Sequence, residues 1–299
     1  MYNKLKISKE VRKITTLSFV ANTILSIIKI YSGIVGKSSA MIADGIHSFS
    51  DFLTDIIVII GIKFTQQPED SCHNYGHGKY ETIATAIISI FLSVVGFNIF
   101  KSGITNIIFV INGGSIAKPG YITLIVAFIS IISKELLYQY TLIVAKKINS
   151  PSMKANAWHH RSDSFSSMGT LIGIGGAILL GNQWTVLDPI ASIVVSLLIF
   201  KVSFDILLPA LSELTESSLN DSEKNKILET IKNCSEIKGF HKLRTRKVGN
   251  KSIIEFHILV DENLNIKIAH GISTQLEQEL KVFFGYTSII TIHIEPYLK

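Results

Sequence analysis

The sequence predicts an α-helical membrane domain of six spans followed by a water-soluble α/β unit, and three observations carry that prediction. With 47% hydrophobic and 17% charged residues and a mean hydropathy of +0.38, the chain is more apolar and less charged than an ordinary soluble domain. Its two parts differ in character: to about residue 208 long apolar runs alternate with short polar ones, and from about 213 onwards charges recur every few residues. The third observation is the stretch from Ser38 to Gly61, which is long and apolar enough to cross a bilayer yet carries Asp44, His47, Asp51 and Asp55. On a helix these four fall within an arc of about 80° and along about 16 Å of axis. Ionisable groups at bilayer depth cost about 2.5 to 3.5 kcal/mol each on insertion scales, so such a face calls for a cation, a proton or water as partner.

Taken in order, residues 1–13 form a short basic segment without the cleavage pattern of a signal peptide. Spans are expected at about 14–35, 39–63, 82–111, 119–145, 156–181 and 186–208, each near the roughly 20 residues that a bilayer requires. The domains are thus 1–13, 14–208 and 209–299. Asn22 and Lys29 in the first span, with Asn98 and Lys101 in the third, are expected to face the bundle or the interface. Lys4, Lys6, Lys9, Arg12 and Lys13 precede the first span, Lys63 and Lys79 follow the second, and Lys146, Lys147 and Lys154 follow the fourth. The opposite connectors hold only Lys37 and Lys118, so both termini are expected in the cytoplasm. That asymmetry also accounts for the net charge of +6 without nucleic acid. The two cysteines, Cys72 and Cys234, are too few and too far apart for a disulfide framework.

The fifth span opens NAWHHRSD, placing His159 and Asp163 four apart on one helix face, the relation that His47 and Asp51 have in the second span. Two His and two carboxylates are a Zn²⁺ coordination set, with N and O donors at about 2.0 to 2.2 Å. Ser166, Ser167, Gly169, Gly173, Gly175 and Gly176 follow, small enough for close helix approach. His160 points about 100° from His159 and is expected at the headgroups or in a loop. In the connector PEDSCHNYGHGKYE, Asp70, His73 and His77 form a possible three-ligand cluster, with Cys72 as a competing soft ligand.

The last ninety or so residues read helix, strand, strand, helix, strand at about 221–234, 239–247, 252–261, 266–283 and 287–295. Ile254, Phe256, Ile258 and Val260 alternate with Glu255, His257 and Leu259, the period of a half-buried strand. Ile290, Ile292 and Ile294 repeat the pattern, so His293 and Glu295 share the other face. His241 starts the first strand, His257 lies in its hairpin partner, and His270 is near the start of the second helix.

The second-span ADGIHSFSD, the connector HNYGHGKYE and the fifth-span HHRSD together resemble the cation diffusion facilitator family of divalent metal transporters. The resemblance covers essentially the whole chain, to the C-terminal IHIEP. It implies six membrane helices, a cytoplasmic ferredoxin-like αββαβ domain, a homodimer in the cytoplasmic membrane, and export of Zn²⁺ or a neighbouring metal (Fe²⁺, Co²⁺, Cd²⁺ or Mn²⁺) against protons. By motif position the intramembrane site falls on His47, Asp51, His159 and Asp163. Asp44 and Asp55 lie outside those four, as access-path or supporting residues. Asp70, His73 and His77 match a loop-borne second site, and Lys79 matches a lysine paired with an acid after the last span, here Glu213. His241, His257, His270, His293 and Glu295 match positions where relatives bind metal, a regulatory clamp between protomers off the permeation path.

Two other classes compete on the residues alone. A membrane metalloenzyme would also bury His and Asp, but the sequence has no HExxH, nucleophile elbow or phosphate loop. A metal sensor would use the soluble unit and keep the spans as an anchor.

Overall fold

A computed structural model describes residues 2–65, 69–148, 151–249 and 251–298, with side chains over 13–53, 69–147, 153–154, 156–249 and 251–298. The side chain of Asp55, Lys63 and the basic residues Lys4, Lys6, Lys9 and Arg12 lie outside the described side chains. Six long helices come first: α1 Tyr2–Val35, α2 Ser39–Thr65, α3 Gly78–Ile111, α4 Tyr121–Ile148, α5 Pro151–Leu179 and α6 Leu187–Leu214. Among the described residues, Lys13–Val35, Gly78–Ile111, Tyr121–Lys147 and Asn182–Leu214 are long and apolar enough to cross a membrane. The remaining two, α2 and α5, carry the His and Asp residues. By internal contacts the chain forms two compact units, residues 1–56 with 88–205 and residues 57–87 with 206–299.

The first unit is patterned as a membrane bundle. Large apolar side chains such as Ile27, Tyr31, Phe97, Ile108, Ile125 and Phe128 are exposed, whereas Ser26, Lys29, Ser130, Lys134, Thr141, Ser192 and Ser196 are buried. Lipid tails are as apolar as leucine, so helices in a bilayer associate through small and polar residues rather than greasy ones. Gly45 on α2 shows the geometry: a Cβ there would sit 2.9 Å from the Ile30 nitrogen and 3.1 Å from Lys29 Cβ on α1. Gly173 on α5 is pressed as closely onto α6, where a Cβ would meet Ala191 Cβ at 2.4 Å. Asp188 in the first turn of α6 ties down the start of α2, accepting from Ser39 N at 2.8 Å, Ser39 Oγ at 2.7 Å and Ser38 Oγ at 2.5 Å. A carboxylate at a helix N-terminus meets unpaired amides and the positive end of the dipole.

The second unit contains α7 Asp221–Lys232, β1 Gly239–Val248, β2 Lys251–Asp261, α8 Ile266–Phe284 and β3 Ile289–Tyr297. The sheet runs β1-β2-β3, antiparallel between β1 and β2 and parallel between β2 and β3. The parallel pair needs a crossover, and α8 supplies it. Asn220 and Glu223 close a reciprocal capping box at the start of α7, with Asn220 Oδ1 accepting from Glu223 N at 2.8 Å. Ile254, Phe256, Ile258 and Val260 are buried in one core with Ile227, Ile231, Ile272, Leu276 and Leu280 of the two helices. The alternation of strand side chains puts the histidines on the opposite face. The strand and helix bounds lie within two residues of those expected from the sequence.

Candidate metal centre

His47 and Asp51 on α2 and Asp163 on α5 bring one ligand atom each within 4.8 Å of one another. They open into a cavity of about 650 Å³, lined further by Ser162, Gly169 and Val195. His47 Nδ1 and Asp51 Oδ2 are buried without a hydrogen-bond partner among the described residues. Unpaired buried polar atoms are costly, and residues of the trio that keep such atoms fit an ion. His159 stands just outside this trio, its side chain 52% exposed, with Nε2 3.7 Å from Asp51 Oδ1 and Nδ1 3.9 Å from Asp163 Oδ1. Donors on a Zn²⁺ tetrahedron lie about 3.3 Å apart, and both His159 separations are wider than that.

Two lysines join this region that spacing alone did not pair with anything. Lys134 on α4 is fully buried and donates to Asp163 Oδ2 at 2.7 Å. Lys29 on α1, also fully buried, holds Asp44 Oδ2 at 2.8 Å and donates to Ser48 Oγ at 3.0 Å and Ser167 Oγ at 2.9 Å. Asp44 is thus half of a buried ion pair joining α1, α2 and α5, and Ser167 donates to it at 3.1 Å. The expectation for His160 is corrected: it is 2% exposed within α5, not a headgroup or loop residue, and neither ring nitrogen has a hydrogen-bond partner among the described residues. The α4 and α5 helices run as a hairpin, which turns the face of His160 onto α4. Its neighbour Arg161 is held there as well, donating to Tyr138 Oη at 3.0 Å with its guanidinium over that ring.

The connector residues also converge. Asp70, His73 and His77 bring ligand atoms within 4.8 Å of one another, with Asp70 Oδ1 3.4 Å from His73 Nδ1 and Asp70 Oδ2 3.3 Å from His77 Nε2. The His73 amide donates to Asp70 Oδ1 at 2.6 Å and holds that carboxyl below its ordinary range. His77 Nδ1 is buried without a hydrogen-bond partner among the described residues. Cys72 is exposed and contributes its amide, not its sulfur, to Asp70. The expected Lys79–Glu213 pair is corrected. Lys79 pairs with Glu216, while Glu213 accepts from Thr82 Oγ1 at 2.9 Å and Gly249 N at 2.6 Å. The chain turns after α6 with Glu216 at φ 61°, which carries that carboxylate to the lysine.

On the sheet, His241, His257 and His293 form one row, because His241 is registered with His257 and His257 with His293. Glu295 faces all three, at 2.6 Å from His257 Nδ1, 3.1 Å from His241 Nε2 and 3.6 Å from His293 Nε2. His241, His257 and Glu295 bring ligand atoms within 4.8 Å of one another, a donor set that a divalent cation fits, and the more exposed His293 stands beside them. His270 is exposed on α8, with Nε2 3.5 Å from Thr274 Oγ1, and does not join this cluster.

Residues 15–215 match the family model of the cation efflux transmembrane domain, and residues 219–297 that of the cation efflux protein cytoplasmic domain. The chain belongs to the cation efflux family. It is 35% identical to the manganese efflux system protein MneP of Bacillus subtilis, over 96% of this chain and 97% of that one. It is 36% identical to the uncharacterized transporter MJ0449 of Methanocaldococcus jannaschii, over 91% and 94%. Among solved structures, the metal-bound C-terminal domain of the CzcD transporter from Thermotoga maritima covers 26% of this chain and 94% of its own, at 26% identity and a TM-score of 0.24.

As a member of the cation efflux family, the chain is a multi-pass membrane protein that moves divalent metal cations. In that light Lys134 is the residue near the centre that spacing missed. The signal was present, since a lysine inside the apolar run SIISKELLYQY demands a partner at bilayer depth. Nothing in the α4 sequence itself named that partner.

Proposed function

We propose that this chain exports a divalent transition-metal ion across the cytoplasmic membrane in exchange for protons, with Zn²⁺ as the cargo and His47, Asp51, His159 and Asp163 as its site. The observation that carries the reading is the convergence of His47, Asp51 and Asp163 in a cavity among α2, α5 and α6. An ion can bind there only to unprotonated imidazole and ionised carboxylates, so its arrival expels whatever protons those groups hold. That exchange is the physical basis of antiport. In this reading the membrane domain spans 14–208, the segments 1–13 and 209–299 are cytoplasmic, and the protein is a homodimer. His241, His257 and Glu295, with His293 beside them and His270 apart on α8, bind regulatory ions, and Asp70, His73 and His77 hold a second, loop-borne one.

A second reading has Mn²⁺ as the cargo. Two of the three clustered ligands are carboxylates, which suit a harder ion, and a relative over nearly the whole length is named for manganese efflux. The test is uptake of Zn²⁺ into sealed vesicles with an acidic lumen, in competition with Mn²⁺, Fe²⁺, Co²⁺ and Cd²⁺. Zn²⁺ is expected to accumulate and to resist displacement. Displacement at lower concentrations of Mn²⁺ would make manganese the cargo, and a folded preparation that accumulates no metal would leave a sensor in place of an exporter.

A further inference from the structure

Among the described residues the bundle holds two buried lysine–aspartate pairs, and they differ in what their carboxylate engages. Lys29 and Asp44 are both 1% exposed and lie off the ligand set. Lys134, by contrast, takes one oxygen of Asp163, itself a member of the ligand trio. A pair needed only for packing has no reason to engage a ligand. Resting on the site proposed above, we infer that Lys134 is the built-in counter-cation of the transport site, setting how tightly the metal ion is held and therefore how readily it leaves.

The geometry gives the lysine two effects at once. Its ammonium fixes Asp163 through Oδ2 at 2.7 Å, leaving Oδ1, which faces His159 at 3.9 Å, for an ion. It also cuts the formal charge of the site from two negative, with Asp51 and Asp163 ionised, to one. The groups that face it from the neighbouring helices are Asp51 and Asp163 with the imidazole of His160. Inside a low-dielectric bundle a cation beside the ligands opposes a divalent ion strongly. Without it, two carboxylates and two imidazoles would neutralise the ion fully and hold it as a structural site does. A transporter must release what it binds, and a tethered positive charge lowers the depth of that well.

The test uses the full chain. Lys134→Gln should lower the KM for Zn²⁺ uptake into vesicles at least tenfold and lower the maximal rate at least tenfold, while Lys134→Arg restores both towards wild type. Equilibrium Zn²⁺ binding, in a background where His77→Ala, His257→Ala and His293→Ala remove the other clusters, reads the same site without turnover. There Lys134→Gln should bind at least tenfold more tightly. Unchanged or weaker binding overturns the proposal, as does a Lys134→Arg protein that behaves like the Gln variant. Lys134→Met, of similar volume and apolar, replaces Gln where the latter does not fold. A protein that folds only with a cation at this position makes the pair structural, which also overturns the proposal. Asp51→Ala in the same background separates the two levels: persistent binding there removes the site assignment itself, whereas lost binding with an unchanged Lys134→Gln removes only the role of the lysine.

Discussion

At Glu295 the consequences of a single side chain are most easily followed. Its hydrogen bond to His257 is the main cause that holds its carboxyl below the ordinary value of 4.5. A carboxyl whose folded pKa lies below its unfolded one contributes stability that is complete above the unfolded value and fades as pH falls through the folded value. The stability difference between wild type and Glu295→Gln, followed by thermal unfolding, should therefore be present at pH 6 and shrink as pH falls below about 4.5. A difference that grows on acidification would contradict this assignment. This row was legible in the sequence because a strand alternates its faces with period two, so His257, His293 and Glu295 had to share a side once the isoleucines were placed in the core. The partner of Lys134 was not legible, because it lies 29 residues away on another helix.

Among the elements, close helix contact depends on a few small residues. A methyl group at Gly45 would press on the Ile30 backbone nitrogen at 2.9 Å, and backbone cannot give way as a side-chain tip can. At Gly169 on α5 nothing lies within 4 Å. Gly45→Ala should therefore destabilise the detergent-solubilised protein by about 1 to 3 kcal/mol, the range of overpacking. Gly169→Ala should leave it unchanged or slightly firmer, since alanine is the better helix former by about 1 kcal/mol. Equal shifts in unfolding temperature for the two would show that α1 and α2 are not held as described. The spans themselves were readable from apolar length, and the strands from alternation. Which helix meets which was not, because the small and polar residues that mark a protein-facing surface name no partner helix. The partner of Lys79 was misread for a local reason: the turn after α6, with Glu216 at φ 61°, sets which carboxylate reaches it.

For the whole molecule, the ion proposed to be moved is distinct from the ions proposed to regulate. The sheet-borne cluster lies in the part matched as the cytoplasmic domain, and the regulatory ions proposed there would act by favouring one arrangement of the protein over another. His257→Ala with His293→Ala should leave transport intact but shift its metal-concentration dependence by about 5- to 150-fold, the span of ordinary allosteric coupling. Flux lost outright from a folded double variant would make those ions obligatory. The claim on which the rest depends is that α2 and α5 hold the transported ion. Asp51 tests it better than Asp163, because removing Asp163 would leave the Lys134 ammonium buried without its carboxylate. The measurement is Zn²⁺ and Mn²⁺ uptake by Asp51→Ala in sealed vesicles with an acidic lumen, beside wild type at equal folded protein. Uptake of both ions is expected to fall to the level of protein-free vesicles. Near-normal flux of either ion through the folded variant would contradict it.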